Sequence, residues 1–242
     1  GNASNFENLL GSDSDDTLTG DTNGNILVGS QGADTINGGD GNDVLWGDCL
    51  SGGSCSNLIS QNYSSYSIST GGNDILNGGA GDDTIYGEDG DDTIDGGAGN
   101  DTIISGAGSD IIIITSLSDS DTLSDFTDGT DAIGFDSSIT SSNLVISASG
   151  SDTVIKNGSD TLLTLTGISS ANVTAADLQS TSTDAQTING TSGNDILVGG
   201  AGNDTFNGGA GSDQLVGWGG DDTFNITSKS GSWIDTINGG SG

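Results

Sequence analysis

The stretch GGAGDDTIYGEDGDDTIDGGAGNDTII, at residues 78–104, contains three successive nonapeptides that follow one pattern. Each unit opens with glycine, carries aspartate at its sixth position and places a large apolar residue at its eighth. In these three units the two positions are Asp83 and Ile85, Asp92 and Ile94, and Asp101 and Ile103. Because the period is so short, the stretch indicates many copies of a single small structural unit.

The same pattern recurs over much of the chain. The sixth position is aspartate in all aligned units but one, and its residues are Asp16, Asn25, Asp34, Asp43, Asp74, Asp83, Asp92, Asp101, Asp110, Asp195, Asp204, Asp213, Asp222 and Asp235. The eighth position is large and apolar in every unit, from Leu18 to Ile237. A flexible linker rich in glycine and aspartate would not keep two positions aligned over this length, so low complexity alone is rejected.

Each position of the repeat has a physical role. Glycine permits backbone conformations with positive φ, so the chain can reverse tightly and leave its carbonyl oxygens accessible. The aspartate adds a carboxylate beside those carbonyls, and oxygen ligands of this kind suit a hard cation such as Ca²⁺. The residues that follow, typically Thr-Ile-Asn, form a short strand whose middle side chain points inward while its neighbours point outward. The repeat therefore predicts one turn, one strand and one core side chain per unit.

These units resemble the RTX (repeats-in-toxin) consensus GGxGxDxUx, a calcium-binding nonapeptide repeat. The resemblance covers about 11–115 and 186–242. It implies an all-β fold, specifically a right-handed parallel β-roll (β-solenoid) in which two nonapeptides make one coil. It also implies calcium ions in two rows, between turns that stack on the same side of the roll.

If two units make one coil, every second sixth-position residue lies on the same side. This pairing gives the rows Asp16-Asp34-Asp74-Asp92-Asp110, Asn25-Asp43-Asp83-Asp101, Asp195-Asp213-Asp235 and Asp204-Asp222. With one ion in each gap between neighbours, we expect about ten calcium ions. The gap that involves Asn25 should bind most weakly, because an amide carries no formal charge.

The chain carries 35 acidic residues against two lysines, Lys156 and Lys229, and its formal net charge is −33. This charge, together with few apolar residues, predicts that both repeat blocks are largely disordered until a cation neutralises the carboxylates. The same charge repels nucleic acid and anionic membranes, and no apolar run approaches the length of a membrane span. Calcium is therefore the expected partner, and neither nucleic-acid binding nor membrane insertion is expected.

Breaks in the pattern divide the chain into four predicted segments. They are a run-in at 1–10, a first β-roll at 11–115 with a loop insertion at 49–70, a β-rich cap or spacer at 116–185, and a second β-roll at 186–242. The second roll stops within a repeat, so we expect it to be truncated from a longer protein. In the cap, Asp125, Asp128 and Asp131 are candidate ligands for one further calcium ion.

Both cysteines of the chain, Cys49 and Cys55, lie in the insertion. Two cysteines in an otherwise cysteine-free acidic chain predict a small disulfide in an oxidising compartment, and the alternative is a pair of reduced thiols without a role. Tyr63 and Tyr66 could contact a partner from this loop, because loops on rigid scaffolds often carry recognition. A tolerated insertion without a partner is the simpler interpretation.

An enzymatic function is not expected. The chain has no histidine, so it lacks a Ser-His or Cys-His nucleophile system and a histidine-bound zinc. Paired carboxylates could in principle hydrolyse glycosides, but the regularly spaced aspartates are already needed by calcium.

The favoured function is a calcium-folded structural segment of an extracellular surface protein, such as an adhesin, an S-layer protein or a filament subunit. Its partners would be a homo-polymer or neighbouring repeats of the same chain. The alternative is a non-catalytic secretion and stability module of an exported enzyme or toxin. Ice binding by outward threonine and asparagine is disfavoured, since the turns lack a regular threonine array. The RTX resemblance further implies type I export to the outside of the cell or its surface.

Overall fold

The computed structural model describes residues 2–3, 8–48, 71–115, 119–136, 139, 144–226 and 234–241. These described residues form β-strands and one short 3-10 helix, and the chain divides into two compact units, Gly1–Asp131 and Ala132–Gly242. In the described part, no helix is long and apolar enough to cross a membrane. The predicted Cys49–Cys55 disulfide and the tyrosines of the insertion lie outside the described residues.

The first unit is a parallel β-roll made of two sheets. Successive strands alternate between the sheets, so two repeats make one coil, as the sequence predicts. One sheet contains, in order, β1 (Asn2–Ala3), β3 (Thr17–Thr19), β5 (Thr35–Asp40), β7 (Ile75–Ala80), β9 (Thr93–Ala98) and β11 (Ile111–Ile114). The other sheet contains, in order, β2 (Asn8–Leu10), β4 (Ile26–Ser30), β6 (Val44–Asp48), β8 (Thr84–Tyr86), β10 (Thr102–Ile104) and β12 (Asp121–Leu123).

Strands of the first unit pair in register, repeat position against repeat position. Ile94, for example, lies opposite Leu76 on one side and Ile112 on the other. From β3 onward, each strand of this unit buries one inward-facing apolar residue to at most 3% exposure, and these residues are Leu18, Leu27, Ile36, Leu45, Leu76, Ile85, Ile94, Ile103, Ile112 and Leu123. The core is therefore a narrow stack one side chain deep per strand, as expected for a coil of two short strands.

The second unit begins with strands that do not follow the repeat. β13 (Ala132–Phe135) pairs in parallel with β17 (Leu178–Ser180). Between them in sequence, β14 (Leu144–Ser149), β15 (Asp152–Asn157) and β16 (Asp160–Leu165) form an antiparallel meander. The 3-10 helix spans Ala175–Asp177 and begins with a capping box in which Thr174 and Asp177 bond each other's main chain.

Repeats resume in the second unit as another parallel roll. One sheet contains β18 (Thr187–Asn189), β20 (Thr205–Asn207) and β22 (Thr223–Asn225), and the other contains β19 (Ile196–Val198), β21 (Gln214–Val216) and β23 (Thr236–Asn238). Ile188, Leu197, Phe206 and Leu215 form its buried cluster, and the rings of Phe206 and Phe224 stack with centroids 4.8 Å apart. The unit boundary after Asp131 falls inside the predicted cap, and the four-segment division remains a prediction.

Two features depart from the simple alternation of inward and outward side chains. Val28 and Trp46 follow the core residue of their strands, yet they are 0% and 6% exposed, and Trp46 stacks on Tyr86 with ring centroids 4.0 Å apart. Conversely, Ile237 occupies a predicted core position but is 44% exposed, because β23 lies at the edge of its sheet. Position in the repeat therefore does not by itself fix the burial of a side chain.

In the second unit the outer face of one sheet is covered by the 3-10 helix. The helix packs against β19 and β21, where Val198 and Val216 are 2% and 5% exposed. The indole Nε1 of Trp218 donates to the carbonyl oxygen of Leu178 at 2.6 Å. Residues before the second roll thus pack on its outside as well as preceding it in sequence.

Candidate calcium sites

The sixth-position residues form hydrogen-bonded columns along each roll. The main-chain nitrogen of one residue donates to the Oδ1 atom of the aspartate in the next coil, as at Asp74 to Asp92 and Asp83 to Asp101, both at 2.8 Å. The same bond joins Asp16 to Asp34, Asp34 to Asp74, Asp92 to Asp110, Asn25 to Asp43, Asp43 to Asp83, Asp195 to Asp213, Asp213 to Asp235 and Asp204 to Asp222. The structure therefore brings every predicted neighbour pair together.

This bond uses only one of the two carboxylate oxygens. The other oxygen, Oδ2, is buried and has no hydrogen-bond partner at Asp34, Asp43, Asp74, Asp83, Asp92, Asp101, Asp110 and Asp222. A buried carboxylate oxygen that no donor reaches is costly, because it has lost its water without replacement. A cation bound to these oxygens would remove that cost, so their arrangement fits a metal ligand.

Main-chain carbonyl oxygens converge on the same atoms, and glycine leaves the space between them open. A Cβ atom added at Gly47 would lie 2.2 Å from Asp74 Oδ2 and 2.7 Å from the carbonyl oxygen of Gly87. Oxygen-only donors of this kind fit Ca²⁺ better than a transition metal. Within the described residues, no three acidic side chains form a metal-binding group by themselves, so carbonyls would have to complete each site.

Burial alters the acidity of the stacked carboxylates. It raises the pKa of Asp34, Asp43, Asp83, Asp101 and Asp110 to about 6, and that of Asp74 and Asp92 to about 7. Hydrogen bonds from main-chain N–H groups oppose this rise, and neighbouring carboxylates in the column add to it. Without a cation the charged columns therefore oppose the folded state at neutral pH.

The sign of these shifts predicts how pH affects the calcium-free fold. A raised pKa favours the neutral acid in that fold, so the carboxylates oppose it above about pH 7 and cease to do so as pH falls towards about 4. We therefore expect the calcium-free chain, disordered at about pH 8, to gain β-sheet structure as the pH is lowered towards about 4. Circular dichroism in excess chelator measures this gain, and spectra that do not change with pH would contradict the expectation.

The columns of the first roll continue into two aspartates that the repeat pattern does not reach. Asp121 Oδ1 accepts from the Asp101 nitrogen at 3.0 Å, and Asp131 Oδ1 accepts from the Asp110 nitrogen at 3.2 Å. Both side chains are buried, and burial raises the pKa of Asp121 to about 7. Sequence analysis missed their place in the columns because they lie 20 and 21 residues after their partners, whereas regular neighbours lie 18 apart.

The candidate site predicted in the cap has a different geometry. Both carboxylate oxygens of Asp125 accept main-chain N–H groups, from Ser105 at 3.0 Å and from Gly106 at 2.8 Å. Asp131 Oδ2 accepts from the Thr127 nitrogen at 2.7 Å. Asp125, Asp128 and Asp131 do not form a three-carboxylate group among the described residues. The structure therefore uses Asp125 and Asp131 to satisfy main-chain donors at the end of the roll, and calcium binding there remains a prediction.

At the start of each repeat block, main-chain N–H groups of the same turn already donate to the side-chain oxygens of the sixth-position residues. The nitrogens of Ser12, Asp21 and Thr191 donate to the side-chain oxygens of Asp16, Asn25 and Asp195, four residues later, at 2.5 to 2.7 Å. Gly200 donates to Asp204 in the same way at 3.0 Å. A cation would stabilise these side chains less than those whose Oδ2 atom is buried without a donor. We therefore expect the interior gaps of the first roll to bind calcium most tightly.

Parallel two-sheet coils and stacked aspartate columns define this chain as a nonapeptide-repeat β-roll. The RTX calcium-binding nonapeptide repeat matches residues 19–48, 68–103, 87–113 and 189–224. Within these four matches, the nonapeptides of this chain are repeats of the RTX type.

Solved structures similar to this chain include parts of an epimerase and a lipase. The AlgE6R3 subunit of the Azotobacter vinelandii mannuronan C5-epimerase is 21% identical with a TM-score of 0.31, and the match covers 70% of this chain and 80% of the subunit. The extracellular lipase LipA of Serratia marcescens is 17% identical with a TM-score of 0.30, and the match covers 71% of this chain and 39% of the lipase. No curated protein matches the chain in sequence.

Proposed function

We propose that the chain is a calcium-folded structural segment of an extracellular surface protein. The observation that carries the proposal is the set of buried, unpartnered Oδ2 atoms stacked along the rolls. Calcium ions bound there would neutralise the columns and link each turn to the next, so that the repeats become rigid only where calcium is abundant. Millimolar calcium outside cells meets the affinity of about 10⁻⁴–10⁻³ M that extracellular calcium modules typically show.

The proposed ligands are the carboxylates of the sixth-position residues, completed by main-chain carbonyl oxygens of the glycine-rich turns. Calcium supplies charge neutralisation and cross-linking between turns rather than a catalytic step. The absence of histidine from the sequence and the use of the aspartates as ligands support a non-enzymatic segment. We further propose export through a type I pathway, which suits a chain that stays unfolded until it meets calcium.

The proposed partners, besides calcium, are further repeats of the same chain or a second copy. Ile226, Ile234 and Ile237, near the last described coil, are 53%, 79% and 44% exposed. An adjoining coil that packed on this end would bury those side chains. This is the surface through which the segment would join a filament or an array.

Calcium binding itself is the test of the proposed function. Calorimetric titration of the chain with calcium should reveal about ten ions. Magnesium should bind few of these sites, because it demands a more rigid octahedral geometry and gives up its water reluctantly. Equal binding of both ions, or binding of only one or two calcium ions, would overturn the proposal. Light scattering during the same titration measures assembly. A chain that stays monomeric at all concentrations would contradict the proposed homo-polymer but not the proposed calcium binding.

The alternative is a non-catalytic secretion and stability module of an exported enzyme or toxin, and it rests on the same repeats. The calcium titration does not distinguish it from a surface-protein segment. The parent gene does, because a hydrolase or toxin domain beside these repeats would favour the module. Further repeats beside them would favour the structural segment.

A further inference from the structure

Asp48 occupies a position that is glycine in the regular repeat. It is the second residue of its turn, at the end of β6, and pairs with Ser30 of the preceding coil. Other turns of the first roll carry Gly39, Gly79 and Gly97 at this position, and two carry an acidic residue, Asp21 and Glu88. The insertion at 49–70 separates Asp48 from Gly71, with which the turn continues towards Asp74. The carboxylate is therefore an addition to the repeat, located at the base of the insertion.

The side chain of Asp48 is fully buried and only half satisfied. Its exposure is 0%, its Oδ2 atom accepts from the Gly72 nitrogen at 3.1 Å, and its Oδ1 atom has no hydrogen-bond partner. Asp74, in the same turn, also has a buried carboxylate oxygen without a partner. This turn thus holds two carboxylates with a buried, unpartnered oxygen, whereas each other described turn of the first roll holds at most one such carboxylate.

The carboxylate of Asp48 also interacts electrostatically with the repeat aspartates on its side of the roll. Burial and then the carboxylate of Asp74 raise the pKa of Asp48 to about 8, with further contributions from Asp92 and Asp34. These three aspartates belong to one column of the first roll. A second buried negative charge beside Asp74 would be strongly unfavourable unless a cation lay between the two groups.

We propose that Asp48 supplies an additional carboxylate ligand to the calcium ion bound next to Asp74, making this the tightest calcium site of the chain. The inference rests on the proposed calcium function. Calcium sites gain affinity with the number of charged ligands, so a second full carboxylate in one gap separates it from the others. The ion would also hold together the two ends of the insertion, adding to the Asp48–Gly72 hydrogen bond.

The test compares calcium affinities of Asp48 variants. Asp48→Asn removes the charge but keeps an oxygen acceptor for the Gly72 nitrogen, whereas Asp48→Gly restores the regular repeat and removes both. Asp40→Asn, at an exposed side chain of the same roll, controls for the loss of one negative charge. Competition between each protein and a calcium-sensitive chelating dye resolves the first ion bound, and circular dichroism at saturating calcium verifies folding.

We expect both Asp48 variants to weaken the first binding step about tenfold or more, while Asp40→Asn leaves it unchanged. If Asp48→Gly weakens that step but Asp48→Asn does not, the side chain acts only through its hydrogen bond with the Gly72 nitrogen, and its role as a ligand is overturned. Unchanged or tighter binding in both variants also overturns it. If the unsubstituted chain binds no calcium, the proposed function itself fails, which is a separate result. A variant that does not fold at saturating calcium is replaced by Asp48→Glu, for which retained tight binding supports the ligand role and lost binding opposes it.

Discussion

Excess chelator is expected to abolish the β-sheet circular dichroism of both rolls at neutral pH, and added calcium to restore it cooperatively. The columns contain stacked carboxylates whose Oδ2 atoms are buried without donors, and the chain carries a net charge of −33. At a concentration about ten times its dissociation constant, each ion stabilises the fold by about 1.4 kcal/mol. Several such ions acting together are comparable to the stability of a whole domain, so their removal should unfold the repeats.

Hydrogen exchange followed by mass spectrometry locates this effect along the chain. In chelator, peptides from β3 to β11 and from β18 to β23 should exchange rapidly. The meander β14–β16 provides an internal comparison, because its strands pair antiparallel and bury Val154, Ile155 and Leu163 without stacked aspartates. We expect it to exchange more slowly than the rolls. Magnesium in place of calcium should not restore protection, and rolls that stay protected in chelator would contradict calcium-dependent folding.

Replacing Gly99 by alanine is expected to destabilise the first roll by at least about 3 kcal/mol. Gly99 has φ +140°, which alanine rarely adopts, and an added Cβ atom would lie 1.8 Å from the carbonyl oxygen of Gly81 in the preceding coil. The added Cβ atom is fixed to one main chain and the oxygen belongs to the main chain stacked against it, so no side-chain rotation can relieve the contact. The stacked turns would have to move apart, and this would separate the carboxylate and carbonyl oxygens that we propose bind calcium.

Gly129 provides the matched control for this substitution. It also has positive φ, +72°, but nothing lies within 4 Å of an added Cβ atom. Gly129→Ala should therefore cost only about 1 kcal/mol, the backbone penalty alone. Urea unfolding at saturating calcium compares the two variants with the unsubstituted chain. Equal losses would show that backbone conformation matters at these turns and that close stacking of the coils does not.

The fold of the repeat blocks could be predicted from sequence because each position has one dominant physical role. The spacing of Asp74, Asp92 and Asp110 sets the coil, and the structure joins these residues by hydrogen bonds. The period of the apolar residues sets the core in the same way. Local rules repeated many times gave one turn, one strand and one core residue per unit, whereas parallel pairing and two repeats per coil came from the resemblance to RTX repeats.

Other parts of the site depend on contacts that a repeat pattern does not encode. Asp121 and Asp131 extend the columns although intervening residues change the spacing, and only the folded chain shows that their carboxylates reach the stacked positions. Asp48 stands where the consensus has glycine, so it looked like the edge of an insertion. The burial of Val198 and Val216 depends on a helix from outside the repeats, which alternation along one strand cannot reveal.

The hydrogen bonds of the aspartate columns also give each roll a polarity. The main-chain N–H of each column residue donates to the carboxylate of the following coil. The N–H of the next residue instead donates back to a carbonyl oxygen of the preceding coil, as from Thr93 to Asp74. Loss of Asp131 would leave the buried N–H of Asp110 without its acceptor. Each column therefore needs a carboxylate after its last repeat, and in the first roll Asp121 and Asp131 supply it.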